Sequence, residues 1–162
     1  MKHIISALVE NKPGVLAQVA GMFAARAFNI DSLVVGRTED PELSRMTIVV
    51  VGDDKVVEQV RKQLVKVVPV VKVKDFVGQS VVARDLMLIT ISTPPGKRPE
   101  IFSLIEMFRG KVVDIGQKFT MAEISGPEAK IEAFIEVCRP YGIKNVARTG
   151  TIAMPRQAKS QS

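Results

Sequence analysis

One pattern occurs twice in this chain: strand, helix, strand, strand, helix, strand. Counted from Gly52 and from Gly126, apolar residues recur at matching offsets: Val57 with Ile131, Val60 with Phe134, Leu64 with Cys138. Spacings of three and four are those of an amphipathic helix. The residues between the helical stretches change to a period of two, the signature of strands. Such a unit buries its apolar surface when both helices lie on one side of an antiparallel sheet, the split βαβ arrangement. With 162 residues the chain has room for two of them.

In the first copy, Ile4 to Val9 reads as a strand. A helical pattern to Ala27 follows, with Leu16, Val19, Ala20, Phe23 and Ala27 on one face, Pro13 in its first turn, and Gly21 as a close-packing glycine. Asn29-Ile30 opens the next strand, and Glu39-Asp40-Pro41-Glu42 turns the chain into Met46 to Val51, which is apolar on both faces. Gly52-Asp53-Asp54 starts a second helix, and Val71 and Val73 alternate with Lys72 and Lys74 in the last strand. In the second copy Leu86 to Ile91 is a strand and Pro99 opens a helix that Gly110 caps. Val112 to Ile115 pairs with Phe119 to Ile124, a helix follows Gly126-Pro127, and Ile143 to Met154 forms one long strand. The fold class is therefore α+β: two tandem ferredoxin-like βαββαβ domains. They are expected at 3–77 and 81–156, with a polar, disordered tail at 157–162.

Helices on one side leave the other sheet face bare, and here that face is rich in Val and Ile. Self-association is the commonest way to cover such a face. The net charge is +6, but the basic residues are dispersed among acids and make no nucleic-acid patch. RNA-binding domains of this layout also stack bases on aromatics of the third strand. Here that strand, Arg45 to Val51, has none. Cys138 is the single cysteine, so neither an intrachain disulfide nor a cysteine zinc cluster is expected. Strand pattern follows Met1 directly and no apolar run reaches spanning length, so the expected location is cytoplasmic, with no membrane partner.

Chemistry concentrates between Asn11 and Ile30. The turn Asn11-Lys12-Pro13-Gly14-Val15-Leu16 leads into the first helix. The first amides of a helix lack partners inside it and lie at its positive end, so those of Gly14, Val15 and Leu16 suit a small carboxylate. Gly14 lets a ligand approach the backbone. The side-chain amide of Asn11 can meet an ammonium or a carboxylate. Asn29 and Ile30 lie at the far end of a helix about 20 Å long, so only a second, antiparallel subunit brings them to the turn. A plain helix start also fits these residues, with Asn11 as its cap and Asn29 in a left-handed turn. Spacing alone leans to that plainer version.

No catalytic set emerges. His3 has no partner in view, and Ser6, Ser44 and Ser80 have no histidine to activate them. Glu39, Asp40 and Glu42 read as a solvated loop rather than a metal site. Neither nucleotide-binding fingerprint is present.

The Asn11–Leu16 block and Phe28-Asn29-Ile30 resemble the ACT-domain signature. Further blocks narrow the resemblance: His3 to Ser6, Ser44 to Ile48, Asp53-Asp54 with Val57-Glu58-Gln59, Phe108 to Asp114, and Arg148-Thr149-Gly150. In that order, from His3 to about Arg156, they resemble the regulatory small subunits of acetolactate synthase. The resemblance implies a non-catalytic chain, its first domain an ACT domain, that forms homodimers through these domains. It implies binding and activation of a large catalytic subunit that carries thiamine diphosphate, Mg and FAD, with no cofactor in this chain. It further implies feedback inhibition by valine in branched-chain amino-acid synthesis. Valine would lie across the dimer interface, on Asn11, Gly14, Val15 and the adjoining Leu16 of one chain and Asn29 and Ile30 of the other. Gln117 to Ala122 departs from the family's usual Ser- and Leu-rich stretch. Two alternatives are a free-standing ACT-domain sensor that regulates another enzyme or transcription, and a small enzyme.

Overall fold

The computed structural model describes residues 1–157. Two compact units result: Met1–Val82 together with the segment from Thr151, and Ala83–Gly150.

The first unit runs β1 (Lys2–Glu10), α1 (Val15–Ala25), β2 (Asn29–Arg37), β3 (Leu43–Val51), α2 (Asp54–Leu64) and β4 (Val70–Asp75). Its antiparallel sheet has the order β2-β3-β1-β4. Alternation sends Ile5, Ala7 and Val9 of β1, with Met46, Ile48 and Val50 of β3, into one core with both helices. α2 begins where sequence chemistry demands. Asp53 accepts from the Val56 amide at 3.0 Å, and Val57, Val60 and Leu64 are buried.

α1 departs from the expected face. Val15, Val19, Met22 and Phe23 are the buried residues, whereas Leu16, Ala20 and Ala27 are exposed. The helix is apolar around most of its circumference, so periodicity could not orient it. The sheet takes Val15, Val19, Met22 and Phe23 and turns Leu16 and the alanines outward. Gly21 is not a packing glycine either, since an added Cβ would meet nothing within 4 Å. Pro13 and Gly14 form a turn before the helix rather than its first residues.

The second unit contains β5 from Ala83 onward (the strand spans Val81–Ser92), α3 (Arg98–Met107), β6 (Lys111–Ile115), β7 (Phe119–Gly126), α4 (Glu128–Cys138) and β8 (Ile143–Arg148). Its sheet order β6-β7-β5-β8 repeats that of the first unit. Met87, Ile89, Ile91, Ala122 and Ile124 of the sheet meet Ile101, Ile105, Ile131 and Phe134 of the helices. Cys138 lies in this core, and burial pushes its thiol up to about 11, so it stays neutral.

Gly110 is needed for a reason other than the expected cap. Arg109 takes the positive φ after α3, at 54°. A Cβ on Gly110 would come within 2.1 Å of Ile124 Cδ1 and 3.1 Å of the Glu123 carbonyl oxygen. Gly110→Ala is therefore expected to lower the stability of this unit by about 1–3 kcal/mol through overpacking, read from a shifted urea midpoint at unchanged slope.

The expected final long strand is broken. β8 stops at Arg148, Gly150 takes φ 89°, and β9 (Ile152–Pro155) follows. An ionic cluster holds the β8 end. Asp85 is 2% exposed, and its Oδ2 accepts from Arg148 Nε at 3.0 Å and Nη2 at 2.7 Å. Arg148 Nη1 also reaches Glu132 Oε1 at 2.6 Å, and the Leu86 amide donates to Thr149 Oγ1 at 3.1 Å.

Beyond that break the segment from Thr151 clusters with the first unit, whereas the sequence expectation places 151–156 with the second domain. The Thr151 amide donates to Ser32 Oγ at 3.3 Å, and the Arg156 amide donates to the Ser80 carbonyl. Ser32 lies opposite Val49 on the sheet face away from the helices, so the chain's own return segment lies over part of the face expected to be bare. Ser6, Thr47 and Val49 on that face are buried. Residues 158–162 of the expected tail lie outside the described residues. Among the described residues, no helix is long and apolar enough to cross a membrane.

Candidate functional site

The turn before α1 differs from a plain helix start. Gly14 occupies the N-cap position at φ 85°, and no side chain caps the helix. Asn11 is not the cap. Its backbone amide donates to the Glu42 carbonyl at 2.7 Å and its side-chain amide to the Pro41 carbonyl at 3.0 Å, so it ties the turn to the β2–β3 loop. Asn29 does not occupy a left-handed turn either. Ala27 has the positive φ, at 53°, and Asn29 already pairs with Val51 in β2. The plainer version therefore fails at both of its named residues.

The amides around Gly14 remain available. The Val15 amide has a long contact of 3.5 Å to the Lys12 carbonyl. Those of Gly14, Leu16 and Ala17 have no backbone acceptor among the described residues. α1 has no acid in its first turn, whereas α2, α3 and α4 carry Asp54, Glu100 and Glu128 in theirs. Nothing on the helix itself neutralises its positive end. Within the turn, Val15 is buried, so only its backbone can meet a ligand, while the Leu16 side chain is 47% exposed. An added Cβ on Gly14 would meet nothing within 4 Å, so the space over the turn is open.

One chain does not bring all six expected residues together. Asn11, Gly14, Val15 and Leu16 share one end of α1. Asn29 and Ile30 start β2 at the other, opposite Val51 and Val50. Beside Asn11 a cleft of about 480 Å³ is lined by Glu10, Asp40 and Glu42 as well as Lys12. Lys12 sits 3.3 Å from Glu10. The acidic loop organises itself: Asp40 Oδ1 accepts from the Glu42 amide at 3.0 Å. His3 does have a neighbour, Asp54 Oδ1 at 3.7 Å, too far for a hydrogen bond. Sequence reading missed the tie between Asn11 and Pro41, because a contact 30 residues apart leaves no local periodicity.

Comparison with known proteins agrees with this architecture. Residues 5–72 match the profile of the AHAS small subunit-like ACT domain, and residues 84–157 that of the small subunit of acetolactate synthase. A probable acetolactate synthase small subunit from Archaeoglobus fulgidus is 55% identical over 98% of this chain and 99% of its own length. The acetolactate synthase small subunit of Bacillus subtilis is 45% identical over 100% of this chain and 95% of its own. The crystal structure of the acetolactate synthase small subunit from Thermotoga maritima superimposes with a TM-score of 0.91 at 43% identity. It covers 98% of this chain and 99% of that one.

Proposed function

This chain belongs to the family of acetolactate synthase small subunits, and from that premise we propose that it activates a large catalytic subunit in the cytoplasm and makes it sensitive to valine. The observation that carries the effector half is the uncapped start of α1: open amides at Gly14, Leu16 and Ala17, a glycine at φ 85°, and no acid in the first turn. A carboxylate of an amino acid is the group that such a helix start receives best. Thiamine diphosphate, Mg and FAD belong to the large subunit in this reading, and this chain supplies binding and regulation alone.

The second half of the site comes from a second copy. β2 is an edge strand. Glu10 and Arg37 face neighbouring residues of β3, Leu43 and Ser44, so β1 and β2 end on the same side of the sheet. The Gly14 turn follows β1 and hence lies at the Arg37 end of β2. Antiparallel pairing of β2 with the β2 of a second copy sets that end against the other copy's Asn29 and Ile30. The outward face of α1, with Leu16, Ala17, Ala20 and Ala24, is apolar enough to be covered in the same contact. Valine enclosed this way touches both protomers. Its binding is then coupled to the arrangement of the pair, and by linkage to the affinity for the large subunit.

The test is an activity assay of a separately produced acetolactate synthase large subunit with its cofactors, with and without this chain, titrated with valine. Stimulation by the chain that valine reverses is expected. Absence of stimulation would remove the subunit reading. Stimulation indifferent to valine would remove the effector site alone.

A further inference from the structure

The geometry points to a second ligand site on the opposite face of the first unit, one that takes a small organic polyanion. A cavity of about 320 Å³ lies on the sheet face away from α1 and α2. Ser6, Leu8, Arg45, Lys72, Lys74 and Phe76 line it from the sheet side, and β9 closes it with Ala153, Met154 and Pro155. Such a volume lies in the range of small-molecule sites.

Its charge is one-sided. Three cations line the cavity and no acid does. Arg45 Nη1 donates to Ser6 Oγ at 2.8 Å, and Lys74 Nζ lies 5.9 Å from the centre of the Phe76 ring. Among the described residues, Arg45, Lys72 and Lys74 have no carboxylate partner, although the same unit pairs Lys2, Lys12, Arg61 and Lys62 with acids.

Strand register explains why the three cations converge. Lys72 faces Leu8, and Leu8 faces Arg45, so these two cations flank one apolar residue in a single row across the sheet. Lys74 faces Ser6 in the next row. Lys72 and Arg45 stand two strand spacings apart, about 10 Å along the row at the backbone, and their long side chains reach over Leu8, which suits a ligand with two or three anionic groups rather than one carboxylate. Leu8, Phe76 and Met154 offer an apolar wall for its carbon skeleton. The site lies away from the α1 turn and does not rest on valine binding there. One of its walls is the return strand, so a bound anion would fasten β9 to the sheet.

Isothermal titration of the full chain with citrate and, separately, with inorganic pyrophosphate at matched ionic strength tests this. At least one of them is expected to bind at a single saturable site with a Kd below about 1 mM. The pair Lys72→Gln with Lys74→Gln, or Arg45→Gln alone, is expected to weaken it tenfold or more. A control pair, Lys55→Gln with Lys66→Gln, removes the same charge from the region of α2 and is expected to leave the affinity within twofold. Hydrogen exchange of the β9 amides is expected to slow fivefold or more at saturation. Citrate alone would identify a carboxylate ligand, pyrophosphate alone a phosphate ligand, and both a ligand defined by charge and size. No saturable binding of either up to 10 mM would overturn the proposal, as would equal weakening in the control pair.

Discussion

Gly14→Asp is expected to weaken valine binding by about thirtyfold or more, about 2 kcal/mol. The unit should still fold. Nothing lies within 4 Å of an added Cβ, and Asp tolerates the left-handed region better than most residues. What changes is charge. The new carboxylate stands beside the amides of Leu16 and Ala17, where it competes with and repels the carboxylate of the effector. Gly14→Ala separates the two contributions, because it keeps the strain at φ 85° and adds no charge. Its affinity is expected to stay within about fivefold of the parent. Calorimetry with valine reads both variants, and circular dichroism checks that they are folded. A folded Gly14→Asp chain with the parent's affinity would remove the effector from this turn.

Arg148→Ala is expected to destabilise the second unit by about 3–5 kcal/mol, because it leaves Asp85 buried without its counter-charge. Arg148 supplies both of the short hydrogen bonds to Asp85 Oδ2. The Thr149 hydroxyl, at 3.4 Å from Oδ1, is a weak substitute. Glu132, the other partner of Arg148, has a side chain 49% exposed, so Glu132→Ala is expected to cost less than about 1 kcal/mol. The double variant Asp85→Leu, Arg148→Met should recover most of the loss, since it removes both charges together. Tyr141, the one tyrosine in a chain without tryptophan, lies in the second unit. Its fluorescence during urea unfolding therefore reports this unit by itself. A loss below 1 kcal/mol for Arg148→Ala would mean that Asp85 finds solvent or another donor when the arginine is removed.

Local physics made most of the fold legible. The helices carry their period in Val57, Val60 and Leu64 and in Ile131, Phe134 and Cys138, all of them buried. The strands carry theirs in the alternation that sends Ile5, Ala7 and Val9 inward. Motif likeness also carried the family, because its blocks stand in order along nearly the whole chain. The start of α1 was legible only in part: spacing alone leans to a helix capped by Asn11 with Pro13 in its first turn, whereas Gly14 holds the N-cap position and no side chain caps the helix.

Tertiary structure decided what depends on distant neighbours. It chose which side of α1 meets the sheet, since an alanine-rich helix offers several nearly equal faces and only the receiving surface selects Val15 and Met22 over Leu16 and Ala20. It decided why Gly110 must be glycine, because the atom that excludes a side chain there belongs to Ile124. It sent the segment after Gly150 back to the first unit and set Arg45, Lys72 and Lys74 around one cavity. Periodicity reports how a residue relates to its neighbours along the chain. Which surfaces meet across it is settled by packing and by charges brought together from far apart, and no local pattern records that.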